Sequence, residues 1–356
     1  MKSSYTIKIG SAIIGLSRPP FIIAEMSGNH NQSLERALEI VESAAETGTH
    51  ALKLQTYTAD TITLDVKEGE FFIKDNKSLW KGKSLYELYQ EAYTPWEWHE
   101  PIMNRAIELG MICFSTPFDE TAVDFLEELD VPAYKISSFE NNHIPLLKKV
   151  AATKKPMIIS TGMATLAELD ETVCTIRDAG CEQFVLLKCT STYPATPENS
   201  NVITIPHMRE LFDCEVGLSD HTMGVGAAIA AVANGATVIE KHFTNSREDG
   251  GVDSAFSMEP LEMKQLVIET ERAWQSLGKV TYGPTEAEKG SLVYRRSLYI
   301  ARDMKKGDIL NEKNLRIVRP GLGLEPKYYD ELLGRKVNKD LKKGTALKWN
   351  LIGDIK

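Results

Sequence analysis

The chain has 356 residues, of which 42% are hydrophobic and 26% charged, and its formal net charge is −9. That length exceeds one average domain and suits a large barrel with a small partner domain. The acidic balance argues against a nucleic-acid binder, and no apolar run approaches the roughly 18 residues that cross a bilayer.

The N-terminus, MKSSYTIKIGSAIIG, has no continuous apolar run of the secretory type. The five cysteines (113, 174, 181, 189, 214) form no CxxC pair, and their odd number leaves no full disulfide pairing. They read as reduced thiols, and a cytoplasmic protein is expected. Within this N-terminus, TIKIGSAIIG (6–15) alternates and turns at Gly10, which predicts a small hairpin covering the bottom of a barrel.

From residue 20 to 245, short apolar runs alternate with helical stretches. The runs are FIIAE (21–25), ALKLQ (51–55), MICFST (111–116), AYKISS (133–138), PMIIST (156–161), FVLLKCT (184–190), EVGLSD (215–220) and ATVIEKHF (236–243). Such runs suit parallel strands buried on both faces. Between them, residues 33–47 carry Leu34, Leu38 and Val41 at helical spacing behind the cap residue Ser33. Thr165 with Glu168 forms a capping box for a helix reaching Ala179. Gly48, Gly110, Gly180 and Gly235 fall just past helix ends, where a left-handed residue is wanted. Eight β–α units of this grammar predict an α/β fold, a (β/α)8 TIM barrel.

The insertion 57–94, between the second and third strands, is polar and aromatic and is expected to fold over the top of the barrel. The barrel domain is assigned to 1–277 and a linker to 278–290. Residues 291–356 carry two KKG turns after apolar stretches and predict a small, mostly β domain. At about 65 residues such a domain is marginal alone, so it should pack on the barrel or on a partner chain.

Barrels of this kind do chemistry at the C-terminal ends of their strands. Every predicted strand ends in polar side chains: Glu25; Lys53 and Gln55; Ser115 and Thr116; Lys135, Ser137 and Ser138; Ser160 and Thr161; Lys188 and Thr190; Ser219 and His221; Glu240 and His242. Solvated strand ends explain hydroxyls. They explain poorly three lysines (53, 135, 188) and a glutamate lodged in apolar runs, because a buried charge costs several kcal/mol unless paired or ligand-bound. Lys53, Lys135, Ser138, Ser160 and Ser219 together suggest an oxyanion site suited to phosphate. His221 and His242 stand one β–α unit apart and share the parity of Ser219 and Glu240. With neighbouring strands about 4.8 Å apart, they could share a cation. No thiolate lies in that motif, so Mn2+ or Mg2+ is expected before structural zinc, with Co2+ a further option. Asp220 points the other way by parity, which suggests a supporting or structural role. MGVG (223–226) lacks the glycine pattern of a nucleotide loop.

At IAEMSGNHNQS (23–33), KLQTY (53–57), YKISSFE (134–140), CTSTYP (189–194), GLSDHT (217–222) and VIEKHFT (238–244) the sequence resembles the sialic acid synthase family. The tail, with RRSLYIARDMKKGD and VRPGLG, resembles the antifreeze-like (SAF) domain of those enzymes. The stretch AEMSGNHNQS followed by ALKLQTYTAD looks closest to the branch that makes pseudaminic acid, used in surface glycans and flagellin glycosylation. The resemblance covers nearly the whole chain. It implies condensation of phosphoenolpyruvate with an acylamino sugar, with Glu25 assisting the attacking water. It implies that Lys53, Lys135, Ser138, Ser160 and Ser219 hold phosphoenolpyruvate, and that Gln55 and Glu140 lie near the sugar or the reacting groups. His221 and His242 would bind the metal, Tyr193 and Asp253 would face the substrates, and Arg319 would reach the sugar from the partner subunit of a domain-swapped homodimer. Ser191 stands where the family typically has Asn in its CTNxYP pattern, which bears on the acceptor. N-acetylneuraminate and legionaminate synthesis, phosphorylated-sugar condensation and a non-enzymatic sugar-binding module are the alternative readings.

Overall fold

The structure, a computed structural model, describes residues 5–76 and 78–353. A hairpin of β1 (Ile7–Ile9) and β2 (Ala12–Ile14) comes first, turning at Gly10 with φ 54°. Eight parallel strands then close into a barrel: β3 (Phe21–Glu25), β4 (Ala51–Thr56), β5 (Ile112–Pro117), β6 (Tyr134–Ile136), β7 (Met157–Ser160), β8 (Phe184–Cys189), β9 (Glu215–Ser219) and β10 (Val238–His242). The last strand pairs with the first, Glu25 lying beside His242. These are the eight runs expected from the sequence, with ends moved by two residues at most.

The helices follow the same grammar. Chain order gives α1 (Leu34–Glu46), α2 (Ala59–Ile62), α3 (Leu85–Ala92), α4 (His99–Glu108), α5 (Glu120–Glu128), α6 (Ile144–Ala152), α7 (Leu166–Asp178), α8 (Thr204–Phe212), α9 (Gly226–Ala233) and α10 (Pro260–Leu277). Ser33 caps α1 by accepting from the Arg36 N–H, and Thr165 with Glu168 closes the expected capping box of α7. Gly48 and Gly180 take φ of 84° and 96°, a conformation that glycine enters without a Cβ penalty.

Strand alternation builds two cores. Phe21, Ile23, Ala51, Phe114, Ile158, Val185, Leu187 and Val238 fill the barrel interior, and Ile7, Ile9 and Ile14 of the hairpin pack against them. The intervening residues, among them Ile22, Leu52, Tyr134, Leu186 and Ile239, pack outward against the helices. The hairpin therefore plugs the lower end of the barrel, and the polar strand ends gather at the upper end.

By packing, the chain divides into two units, Met1–Gly278 and Lys279–Lys356. The second has its own core of Leu298, Ile300, Leu310, Leu315, Leu332, Leu347 and neighbours around an antiparallel pair, β11 (Ser297–Ile300) and β12 (Leu315–Val318). Gly307 and Gly344, in the two KKG turns, have φ of 92° and 86°. Among the described residues no helix is long and apolar enough to cross a membrane.

Gly217 faces the barrel interior, where a Cβ would lie 2.2 Å from the Val238 carbonyl oxygen and 2.7 Å from Leu187 Cδ2. Gly217→Ala should therefore cost at least about 1–3 kcal/mol by overpacking. Urea denaturation measures it; a wild-type midpoint would show that β9 and β10 are not held this close.

Candidate active site

The upper barrel opens into a cavity of about 530 Å3. Its lining includes Lys53, Gln55, Lys135, Ser138, Glu140, Ser160, Tyr193, Ser219, His221, His242 and Asp253. Each strand residue arrives there by alternation: Lys53 follows the inward Ala51, Ser219 follows Gly217, and Glu240 and His242 follow Val238. The same rule turns Lys188 outward, between the inward Leu187 and Cys189. Its ammonium donates to the Cys189 carbonyl at 2.9 Å, so the three lysines of the sequence reduce to two in the cavity.

The floor of the cavity is a buried charge cluster. Glu25 is ion-paired with Lys53, and its Oε1 accepts from the Ser27 N–H at 2.9 Å and from Gln55 at 3.3 Å. Lys53 Nζ also donates to Thr116 Oγ1 at 3.2 Å. Glu240 Oε1 lies 3.9 Å from Lys53 Nζ and 3.5 Å from Lys135 Nζ, and it accepts from Ser219 Oγ at 3.3 Å. Lys135 donates to Ser160 Oγ at 2.8 Å. Glu240 was noted from sequence for its parity but given no role; it is the carboxylate that balances both lysines. Lys53, Lys135 and Glu240 are each at most 4% exposed.

Burial sets the protonation of this floor. It pulls the Lys53 ammonium down to about 7, against the upward pull of Glu240. Burial alone would raise the Glu240 carboxyl, but Lys135 and Lys53 outweigh it and hold the group below the usual carboxylate range. Glu140 is raised to about 7 by burial, with Lys135 opposing. Asp253 is also raised by burial; the Ser27 hydroxyl bonded to it opposes the shift.

The two histidines stand where β9 and β10 end, with ring centroids 5.4 Å apart. His221 Nδ1 is 3.0 Å from the Thr190 carbonyl, which can only accept, so this nitrogen carries a proton. Burial lowers the His221 pKa, but the Cys189 thiol, the Thr190 carbonyl and Glu240 together leave it raised. His242 is held well below the ordinary histidine value by burial and by His221. Its Nδ1 is buried without a hydrogen-bond partner, 3.6 Å from an Asp253 oxygen. Among the described residues, no three of His, Cys, Asp and Glu group so as to hold a metal ion. The pair nevertheless fits a cation held by two imidazoles, because one ring is oriented by a carbonyl and the other has an unused buried nitrogen. The sequence reading found no thiolate beside these histidines. The barrel brings Cys189 there from β8, and His221 draws its thiol down to about 7 against the upward push of burial.

Ser191 is not among the residues that line the cavity. Its Oγ is 3.7 Å from Cys189 Sγ, and a Cβ on Gly162 would come within 2.1 Å of it and 2.6 Å of Ser138 Oγ. Arg319 belongs to the second unit and is exposed. Sequence reasoning passed over Asn29, which is fully buried, donates to the Phe243 carbonyl and Ser257, and accepts from the Asp253 N–H. It ties the loop after β3 to the loop carrying Asp253. Its signal was its place inside the SGNHN stretch, which does not by itself say what it bonds. The remaining buried histidines have structural partners: His30 bonds Thr94 and His99 bonds Thr56.

Asp220 faces outward. Its carboxylate pairs with Lys241 at 2.8 Å, both side chains being buried, and Lys241 also donates to the carbonyls of Thr222 and Gly224. This pair staples the loop that follows His221.

The NeuB family model matches residues 40–282, and the SAF domain model matches 295–352. The chain belongs to the NeuB family. The pseudaminic acid synthase of Campylobacter jejuni subsp. jejuni serotype O:2 is 45% identical to it over 92% of this chain and 95% of its own length. That of Helicobacter pylori is 42% identical over 93% and 97%. A solved structure of the N-acetylneuraminic acid (sialic acid) synthetase of Leptospira borgpetersenii serovar Hardjo-bovis, in complex with citrate, is 31% identical. It covers 82% of this chain and 96% of its own, with a TM-score of 0.73.

Lys241→Met would leave Asp220 buried without its cation, a loss of about 3–5 kcal/mol. Denaturation should show this loss and its partial recovery in the Asp220→Asn, Lys241→Met double variant. Equal stability of the wild type and Lys241→Met would mean that the pair carries no structural load.

Proposed function

We propose that the chain is a nonulosonic acid synthase of the pseudaminic type. It condenses phosphoenolpyruvate with 2,4-diacetamido-2,4,6-trideoxy-altrose. The carrying observation for the acceptor is the 42–45% identity to enzymes named for that product, against 31% to the sialic acid synthetase. The cavity supports the reaction class: two buried lysines and convergent hydroxyls suit an anion, and they adjoin two imidazoles.

In this reading Lys53, Lys135, Ser138, Ser160 and Ser219 bind the phosphate and carboxylate of phosphoenolpyruvate and stabilise their charge throughout. C3 of phosphoenolpyruvate forms a bond to the aldehyde carbon of the open-chain sugar, and positive charge develops at C2. Glu25, fixed by Ser27 and Gln55, accepts a proton from the water that adds at C2. The tetrahedral intermediate then loses inorganic phosphate by C–O cleavage and leaves a ketone at C2. Glu140, raised to about 7, is suited to exchange a proton near neutrality; Tyr193 and Asp253 shape the acceptor end, and Ser191 acts on it only from beside Cys189. His221 and His242 would hold a divalent cation, Mn2+, Mg2+ or Co2+, whose chemistry is Lewis-acid polarisation of a carbonyl oxygen. Arg319 is assigned to the acceptor of a second copy in a domain-swapped homodimer, and the enzyme to the cytoplasm.

Phosphate release with manganese present tests the reading. It should be fast with the diacetamido trideoxy sugar and slow with N-acetylmannosamine; the reverse preference would overturn the acceptor. Absence of phosphate release with every acylamino sugar tried would favour a binding module. Glu25→Gln should keep phosphoenolpyruvate binding and lose most of kcat, and an unchanged kcat would remove Glu25 from the chemistry.

The pocket charge also predicts a pH dependence. Below about 7 Lys53 is charged and Glu140 neutral; above it Lys53 loses its charge and Glu140 gains one. Both changes weaken anion binding as pH rises. The second ionisation of a phosphate monoester has its pKa near 6, so it is nearly complete above about pH 7 and opposes the trend only at the acidic end. Calorimetry should show the phosphoenolpyruvate Kd rising between pH 6.5 and 8.5. A constant Kd would mean that neither group titrates in this range.

A further inference from the structure

The cavity has two unlike walls. One is the charged floor of strand ends. The other comes mainly from the 57–94 insertion and presents Ile62, Ile73, Trp80, Leu85 and Leu88, with Phe118 beside them. We propose that this wall selects the acceptor by its methyl groups, packing the C6 methyl end of a 6-deoxy sugar against apolar side chains where a hydroxymethyl group would lose water.

Among the described residues the wall has few polar atoms to offer. Trp80 donates its indole N–H to the Val252 carbonyl at 2.9 Å, so the cavity meets ring carbon rather than a free donor. Ser78 accepts from the Trp80 N–H of the main chain. Tyr57 and Tyr89 also line the cavity there, and their two rings pack edge to face at 5.7 Å. A 6-deoxy diacetamido sugar carries three methyl groups, whereas N-acetylmannosamine carries one and a C6 hydroxyl. An apolar wall favours the first by the area it removes from water.

The wall is built and fixed. Ser84 and Glu87 form the capping box of α3, and Ile73 and Lys83 are joined through their main chains. The C-terminal end of α3 rests on the loop after β3: a Cβ on Gly28 would meet Ala92 at 2.9 Å, and Gln32 donates to the carbonyls of Glu91 and Tyr93. The insertion is thereby locked to the loop that bears Ser27, beside Glu25 and Gln55. The surface that reads the acceptor is tied to the one that holds the reacting carbons.

This inference rests on the proposed function, and the test separates the two. It compares kcat/KM for 2,4-diacetamido-2,4,6-trideoxy-altrose and for its counterpart bearing a C6 hydroxyl, with phosphoenolpyruvate and manganese saturating. A hydrophobic pocket discriminates a single such group by about 10- to 100-fold, and the wild type should show a preference of that size for the deoxy sugar. Ile73→Thr and Leu85→Asn, both at half-buried positions, should each narrow the ratio several-fold while the phosphoenolpyruvate Kd stays at the wild-type value. That Kd also reports that the variants are folded. Equal turnover of both sugars by the wild type, or an unchanged ratio in both folded variants, overturns the role of the wall and leaves the synthase reading standing. No turnover of either sugar by the wild type overturns both.

Discussion

Closure of an eight-stranded parallel sheet dictates where every other side chain goes. With the last strand paired to the first, no edge remains and each strand must send alternate residues to the axis. Hydrophobic residues fill the lower layers, and the hairpin seals them from below. At the upper rim the strands end, and the inward positions there can be polar. Glu25, Lys53, Lys135, Ser160, Ser219 and Glu240 become neighbours for that reason, although the sequence distributes them over more than 200 residues.

A cluster of this kind must balance its charge internally before it meets a ligand. Two lysines are taken almost wholly out of water, a state that costs several kcal/mol per ion when unpaired. Glu25 and Glu240 stand against them, and the hydroxyls of Thr116, Ser160 and Ser219 supply the remaining bonds. Burial lowers the Lys53 ammonium to about 7, and the arrangement leaves both lysines available to a stronger anion. The staple of Asp220 and Lys241 works on the other side of the same strands. It lies in the layer between barrel and helices, where it fixes a loop without touching the cavity.

The sequence showed the strands because their runs are short, apolar and bounded by helix ends with glycine. It showed Lys53 and Lys135 because a charge inside an apolar run has few bland explanations. It misled at Lys188, whose run is as apolar as theirs; counting alternation from Leu187 and Cys189 would have turned it outward. It missed Cys189 beside His221, because these lie on neighbouring strands and no local spacing links them. Glu240 was visible by parity, but its partners were not.

What the sequence by itself determined is the periodicity: two along each strand, three to four along each helix, with glycine just past several helix ends. Those follow from local backbone geometry and the sorting of apolar from polar side chains, and local rules suffice to read them. Partnership was decided by the tertiary structure. Whether Glu240 answers Lys53 and Lys135, whether Asp220 meets Lys241, and whether the 57–94 insertion becomes a wall all depend on barrel closure and strand stagger. These bring residues distant in sequence to within about 4 Å, and no local pattern carries that information.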